Sequence, residues 1–364
     1  MDVENIKMNI SWRKEILKNT LLLHIGTPKT GTTALQKFLA ENSEELKKQG
    51  WDVPDMLKEW QVQYGERAYK STQRNGMLLR WSIKKNWSEE KKEKLLQMLL
   101  KHLQSSNVIL SDEVIWEDDP STTTAEVIRS IKNRYDNIKI VCYLRRQDLY
   151  IESYWNQCIK TKMEIRDIDQ MILEDTTIRY KEKLDEIAEI VGRENIIVRV
   201  YEREQFEGSR EDITSDFCKV LGIKDTWEGI VLPGMVNERI DAELIEMKWL
   251  FNQEYKKHLD EPCYVVTRNA MEYAANHKFS KVGYISNECR KELIKKYSDD
   301  NYYIATNYMG RKDGVLFKEK VVDIPEYKMN FTDREKEIIK IFANVVADLR
   351  SYIKELKNED IEQI

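Results

Sequence analysis

The residues best suited to chemistry stand together in one short segment, 26–33, which reads Gly-Thr-Pro-Lys-Thr-Gly-Thr-Thr. An unbroken apolar run, Leu21 to Ile25, precedes it, and apolar residues at helical spacing follow it from Leu35 to Leu46. This pattern predicts a buried strand, a glycine-containing turn and a helix N-terminus. Backbone N–H groups and the positive end of a helix dipole bind anions at such a position. The sequence therefore predicts a loop that binds phosphate or sulfate.

The position of the lysine distinguishes this loop from that of most nucleotide-hydrolysing enzymes. Gly26 and Gly31 have the spacing of the G-x-x-x-x-G-K-[ST] loop, but Thr32 stands where that loop has its lysine. The lysine, Lys29, lies inside the loop instead. This arrangement disfavours a P-loop kinase that uses ATP and magnesium, which stays open as an alternative. A non-catalytic nucleotide-binding protein is a second alternative, and a tight strand-to-helix connection without a ligand is a third.

Three segments resemble sulfotransferases that use 3′-phosphoadenosine 5′-phosphosulfate (PAPS). The Pro-Lys-Thr-Gly-Thr-Thr stretch is similar to their 5′-phosphosulfate loop. Their 3′-phosphate pattern is a strand that ends in arginine, with a helical serine eight residues later, and Arg145 and Ser153 match it. A later strand that ends in Tyr201-Glu202 resembles the family's strand near the nucleotide. The likeness extends from about Leu21 to Phe317 and includes features of the bacterial branch that modifies glycans.

The resemblance implies a PAPS-dependent sulfotransferase that acts on a hydroxyl or amine of a carbohydrate, a glycan or a lipid-linked sugar. Lys29 would serve the leaving oxygen, and the product of the donor would be adenosine 3′,5′-bisphosphate. Because the loop supplies the positive charge, we expect no metal. The resemblance implies a nucleotide-binding set of ten residues: Thr27, Pro28, Lys29, Thr30, Gly31, Thr32, Thr33, Arg145, Ser153 and Tyr201.

Sulfuryl transfer also needs a general base, and the sequence offers two candidates. Glu113 follows the apolar strand Val108 to Leu110, so we expect it at the same sheet edge as the loop. The other interpretation of Glu113 is a salt bridge beside a turn. His24 is the second candidate, although a histidine inside a buried strand is more often a hydrogen-bonded core residue. The remaining histidines, His102, His258 and His277, are predicted to be surface residues.

The elements that position these residues alternate between strands and helices. This order predicts an α/β fold with a three-layer, mostly parallel sheet, a P-loop nucleotide-binding and sulfotransferase-like architecture with helical insertions. We predict one domain over 1–364, acceptor-binding insertions at 51–94 and 228–330 without strands, and a packed C-terminal helix at 332–357. Most tryptophans between 51 and 116 are expected in the core, and one or two at the acceptor. The predicted strands are Leu21 to Ile25, Val108 to Leu110, Ile138 to Leu144 and Asn195 to Tyr201.

The composition limits the class of protein. The chain has 364 residues, 41% of them hydrophobic, which excludes disorder as a class. A formal net charge of −5 disfavours a nucleic-acid partner. Five scattered cysteines without a C-x-x-C pair indicate a reducing compartment. Because neither a signal peptide nor a transmembrane segment is recognisable, we expect a cytoplasmic protein, with peripheral contact to a membrane-bound acceptor left open.

Overall fold

The computed structural model describes residues 19–65, 73–117, 125–234, 241–275, 277 and 282–362. The strands are β1 (Leu21–His24), β2 (Trp51–Asp52), β3 (Asn107–Ser111), β4 (Ile138–Leu144) and β5 (Ile196–Val200). The first helices are α1 (Thr32–Glu41), α2 (Ser43–Lys48), α3 (Met56–Tyr64), α4 (Met77–Lys84), α5 (Glu89–Leu103), α6 (Val114–Glu117) and α7 (Ala125–Lys132). Next come α8 (Gln147–Thr161), α9 (Ile168–Glu174), α10 (Tyr180–Val191), α11 (Ile213–Leu221) and α12 (Ala242–Tyr255). The last are α13 (Tyr264–Ala275), α14 (Asn287–Lys296), α15 (Ser298–Asn307) and α16 (Asp333–Glu362).

The chain divides into two compact units. The first unit falls within Met1–Arg146, Thr176–Val236 and Tyr297–Lys320 and contains all five strands. The second falls within Gln147–Asp175, Asn237–Lys296 and Val321–Ile364, and the regular elements among its described residues are helices. The prediction of a single sulfotransferase domain over 1–364 therefore stays a prediction, as does an acceptor-binding role for the segments 51–94 and 228–330.

The first unit is built on a parallel five-stranded sheet with the order β2-β3-β1-β4-β5. The central strand β1 pairs Leu21 with Val108 of β3 on one side and with Ile138 of β4 on the other. This confirms the predicted α/β fold class. The segment 51–94 was predicted to contain no strand. This expectation was wrong, because β2 (Trp51–Asp52) lies within it. Its two residues pair with Asn107 and Val108 at the sheet edge, too short a run to give a periodic signal.

Alternate residues of β1 enter two hydrophobic cores, one on each face of the sheet. Leu21 and Leu23 belong to the core that also contains Leu99 and Trp116. Leu22 belongs to the other core, with Phe38 of α1 and Phe217 of α11 among its members. Because both faces are covered, the strands read as continuous apolar runs, as parallel strands commonly do.

The second unit buries a smaller core between α12 and α16. Phe251 and Tyr255 of α12 pack there with Ala343 and Ala347 of α16. The segment of the predicted C-terminal helix forms α16, and the Glu335 backbone N–H donates a hydrogen bond to the Thr332 hydroxyl at its start. Among the described residues, no helix has the length and apolarity needed to cross a membrane.

Candidate active site

Hydrogen bonds to β4 shape the glycine-containing loop after β1. The Thr27 N–H and hydroxyl both donate to the Tyr143 carbonyl, at 3.0 and 2.9 Å, and the Tyr143 N–H donates to the Gly26 carbonyl at 2.7 Å. The Thr30 hydroxyl donates to the Thr27 carbonyl at 2.5 Å. The protons of these two hydroxyls are therefore used inside the loop, and Thr32 and Thr33, at the start of α1, are the better candidates to donate to a ligand.

The loop ends at Gly31, which caps α1 in the left-handed conformation with φ at 74°. Its carbonyl accepts the hydrogen bond of the Leu35 N–H at 3.0 Å. The N–H groups of Thr32, Thr33 and Ala34 precede this bond in the first turn, where no intrahelical acceptor exists. They are the donors that a helix N-terminus presents to an anion.

Two further predicted nucleotide-binding residues lie against this loop. Arg145 follows β4, and its Nη1 donates to the Lys29 carbonyl at 3.1 Å. Its guanidinium lies 6.0 Å from the ring centre of Tyr201, which follows β5. A Cβ atom at Gly31 would stand 3.0 Å from the same ring. Arg145 and Tyr201 therefore meet at the edge where β1 and β4 end, the position at which parallel sheets bind ligands.

Arg146 and Ser153, which follow Arg145 in the sequence, have surroundings that differ from those of Arg145. Arg146 is buried, and its Nη1 donates to the Glu319 carbonyl at 2.7 Å. Ser153 lies on α8, which belongs to the second unit. Its expected partnership with Arg145 at a 3′-phosphate stays a prediction.

Glu113, the preferred base, stands just past β3 beside the start of the loop. A Cβ atom at Gly26 would lie 3.3 Å from both the Cα and the Cβ of Glu113. The half-buried carboxylate accepts a hydrogen bond from Nε2 of Gln36, which also donates to the Ser111 hydroxyl at 3.3 Å. Sequence reasoning missed Gln36. The available signal was a polar residue next to Leu35, on the face of α1 that the apolar spacing marks as buried.

His24 continues the same chain of polar groups but is wholly buried. Its Nδ1 lies 2.8 Å from the Ser111 hydroxyl, and its ring meets the rings of Tyr143 and Phe217 edge-on. Burial lowers the pKa of His24 to about 3, so the ring is neutral near pH 7. Its Nε2 has no hydrogen-bond partner among the described residues. This environment suits a core histidine that supports Ser111.

Asp112, which directly precedes Glu113, is fully buried. The sequence analysis did not name it as a candidate site residue. Its Oδ1 lies 3.3 Å from Nη1 of Arg74 and accepts from the Val114 N–H at 3.2 Å. Burial raises the pKa of Asp112 to about 7, against the lowering effect of Arg74. The described residues bring no group of three or more His, Cys, Asp or Glu side chains together as a metal site.

The remaining aromatic and histidine candidates are mostly structural. Trp60 and Trp116 are buried, as expected. Trp87 stacks on Trp60 with ring centres 5.0 Å apart, and Lys91 lies 4.1 Å above it. His102, predicted to be a surface residue, is instead largely buried between two carboxylates, with Nδ1 2.6 Å from Asp52 and Nε2 2.9 Å from Glu59. The error arose because both partners are distant in sequence.

Comparison with known proteins gives distant similarities. No protein-family profile matches the chain. An uncharacterized protein from Archaeoglobus fulgidus is 25% identical over 198 residues, which cover 51% of this chain and only 50% of that relative. A sulfotransferase from Alicyclobacillus acidocaldarius is similar in structure at 14% identity and a TM-score of 0.37, over 71% of this chain and 97% of that one. The sulfotransferase domain of the curacin biosynthetic pathway gives 12% identity and a TM-score of 0.32, over 72% and 99%.

Proposed function

We propose that this chain is a PAPS-dependent sulfotransferase. The observation that carries the proposal is the arrangement around β1. The glycine-containing loop, Arg145 and Tyr201 lie together where β1 and β4 end, and Glu113 stands beside the loop after β3. A donor with anionic groups at two positions would be held on one side of β1, and a proton acceptor is available on the other.

The proposed reaction is an in-line displacement at sulfur. The acceptor hydroxyl or amine gives its proton to the Glu113 carboxylate as its oxygen or nitrogen forms a bond to sulfur. The bond from sulfur to the bridging phosphate oxygen breaks, and its electron pair leaves with adenosine 3′,5′-bisphosphate. The loop N–H groups and Lys29 stabilise charge on the departing phosphate, a role for which preorganised donors are effective.

The residues present fit the donor that the resemblance implies. PAPS carries anionic groups at two positions of the nucleotide. The first turn of α1 suits its phosphosulfate, and an arginine at a strand end suits a terminal phosphate because its planar fork binds two oxygens at once.

The P-loop kinase alternative is less well supported. Thr32 replaces the lysine of the kinase loop, and Asp112, the carboxylate directly after β3, is fully buried beside Arg74 rather than presented to a metal. A non-catalytic nucleotide-binding protein would use the same loop and Arg145 but would have no need for Glu113 beside them.

We propose a carbohydrate, a glycan or a lipid-linked sugar as the acceptor, on the strength of the likeness to bacterial glycan-modifying sequences. A cytoplasmic location is supported by the five scattered cysteines, which include no C-x-x-C pair. The test has two parts. Calorimetry should show tight binding of adenosine 3′,5′-bisphosphate and weak binding of ATP with magnesium. Labelled sulfate from PAPS should then appear on members of a sugar panel, as read by mass. Preferential binding of ATP, or binding without transfer to any acceptor, would contradict the proposal.

A further inference from the structure

The C-terminal helix α16 carries a second apolar face in addition to the one that it buries. Ala343 and Ala347 pack on α12 and are 0% and 1% exposed. The larger side chains Val345 and Leu349 are instead 49% and 56% exposed. Sequence reasoning assigned these larger residues to packing within the fold. In the structure, mainly the small residues pack against α12, and these larger residues lie on the surface.

The exposed residues form a heptad seam. Its members are Ile338, Phe342, Val345, Leu349, Tyr352 and Leu356. Successive members are separated by 4, 3, 4, 3 and 4 positions, which is the alternation of a and d positions in a left-handed coiled coil. Five turns of helix give the seam a length of about 27 Å. This pattern favours a partner that is itself a helix.

The area of the seam is that of a protein interface. The six seam residues and the adjacent Ile341 and Ile353 are each between 43% and 62% exposed. Their combined exposed surface is on the order of 800 Å², against ~300–600 Å² for the largest apolar patch of a typical monomer. A specific interface buries about 800 Å² per partner. The seam and these two adjacent residues together therefore supply about one side of a stable interface.

The seam is also symmetric about its midpoint. Ile338 and Leu356 each lie nine positions from Ala347, and Val345 and Leu349 each lie two. The remaining members, Phe342 and Tyr352, each lie five positions away, and the adjacent Ile341 and Ile353 each lie six. A second copy of the helix running antiparallel would therefore place an apolar residue opposite every apolar residue. The antiparallel orientation also sets each helix N-terminus beside the other's C-terminus, which is the favourable alignment of the two dipoles.

We infer that α16 pairs with α16 of a second copy of this chain, as an antiparallel two-stranded coiled coil whose two-fold axis crosses the seam at the level of Ala347 along the helix. The contact is isologous, with Val345 of each copy opposite Leu349 of the other. A two-fold interface needs one self-complementary surface, and the symmetric seam provides it.

Sedimentation equilibrium of the full chain from about 0.1 to about 100 µM tests this inference. We expect a dimer for the wild type. Val345→Lys and Leu349→Glu should each weaken the dimer by ~100-fold, because each buries an unpaired charge. Lys340→Glu, a charge change on the same helix outside the seam, should leave the dimer intact. Circular dichroism should show unchanged helix content in every variant, since both seam positions are about half exposed.

Combining the two seam substitutions tests the orientation. In the antiparallel pair, the double variant V345K/L349E sets each introduced lysine opposite an introduced glutamate, so dimerisation should recover by at least ~10-fold over either single variant. In a parallel pair, lysine would lie opposite lysine and glutamate opposite glutamate, so dimerisation would not recover. That result would overturn the inference. A wild-type chain that stays monomeric, single variants that still dimerise, or a seam that binds phosphatidylcholine vesicles in place of a second copy would also overturn it.

Discussion

Gln36 of α1 donates a hydrogen bond to the carboxylate of Glu113, 77 positions away in the sequence. The same amide nitrogen donates to the Ser111 hydroxyl, which in turn contacts Nδ1 of His24. A polar chain thus runs from the buried end of β1 to the proposed base. Gln36 fixes where the carboxylate stands relative to the loop.

The first prediction concerns the pair Gln36 and Glu113. Glu113→Gln should lower kcat by ~10²–10⁴ and leave the affinity for adenosine 3′,5′-bisphosphate unchanged, because only proton removal is lost. Gln36→Leu should lower kcat by ~10-fold or more in the wild type but have little further effect in the Glu113→Gln background. Steady-state kinetics of the four proteins, with Glu126→Gln as surface control, checks this. Additive losses would show that Gln36 acts independently of Glu113.

A second prediction follows from the contact between Gly31 and Tyr201. Gly31→Ala should abolish binding of adenosine 3′,5′-bisphosphate, because the added methyl group meets the Tyr201 ring and the positive φ disfavours a side chain. Gly222→Ala is a matched control, since Gly222 has a φ of 68° with nothing within 4 Å of its Cβ position. Calorimetry should find binding intact in the control. Equal affinities in both variants would refute the proposed loop.

The third prediction separates catalysis from binding at Lys29. Lys29→Ala should lower kcat by on the order of 10² and change donor affinity much less, because the ammonium charge matters most as the phosphate leaves. Lys37→Ala, on the same helix-loop segment at a half-exposed position, should behave like the wild type. Single-turnover measurements with PAPS compare the two. An equal loss of affinity and turnover would assign Lys29 to ground-state binding.

The fourth prediction concerns Arg145. Arg145→Ala should remove the preference for adenosine 3′,5′-bisphosphate over adenosine 5′-phosphate, and Arg145→Lys should restore part of it, because lysine keeps the charge but not the planar fork. Competition binding of the two nucleotides measures the preference. A uniform weakening of both ligands would instead point to the lost hydrogen bond between Arg145 and the Lys29 carbonyl.

Asp112 predicts a pH dependence of stability. An ordinary aspartate pKa is 3.8, and burial raises that of Asp112 to about 7 in the folded chain. Between these values the unfolded chain has released a proton that the folded chain retains, so this group's contribution to stability is lost as pH rises from about 4 to about 7. As pH rises from about 4 to about 7, the free energy of unfolding of the wild type, measured relative to that of Asp112→Asn, should fall by up to about 1.4 kcal/mol for each pH unit. Urea unfolding at several pH values measures this, and parallel curves would contradict it.

The sheet and the loop were predictable because local pattern determines them. The apolar runs at Leu21 and Ile138 and the glycine at 31 each carry their signal within a few residues. The hydrogen bonds of Gln36 and His102 and the ion pair of Asp112 depend on partners brought close only by folding. The short strand β2 likewise exists because β3 offers an edge. Sequence reasoning therefore predicted the strands and the loop, and it missed the contacts that surround them.

The central position of β1 has a consequence for how new specificities could be engineered. Under the proposed function, the donor-binding residues Arg145 and Tyr201 follow β4 and β5, while Glu113 follows β3 on the opposite side. The chain between α1 and α6 can then be exchanged between relatives while the nucleotide contacts keep their own strands. On the prediction that the segment 51–94 binds the acceptor, chimeric proteins that swap residues 51–112 should inherit a new acceptor and retain the original donor, so the two halves of the reaction can diversify separately.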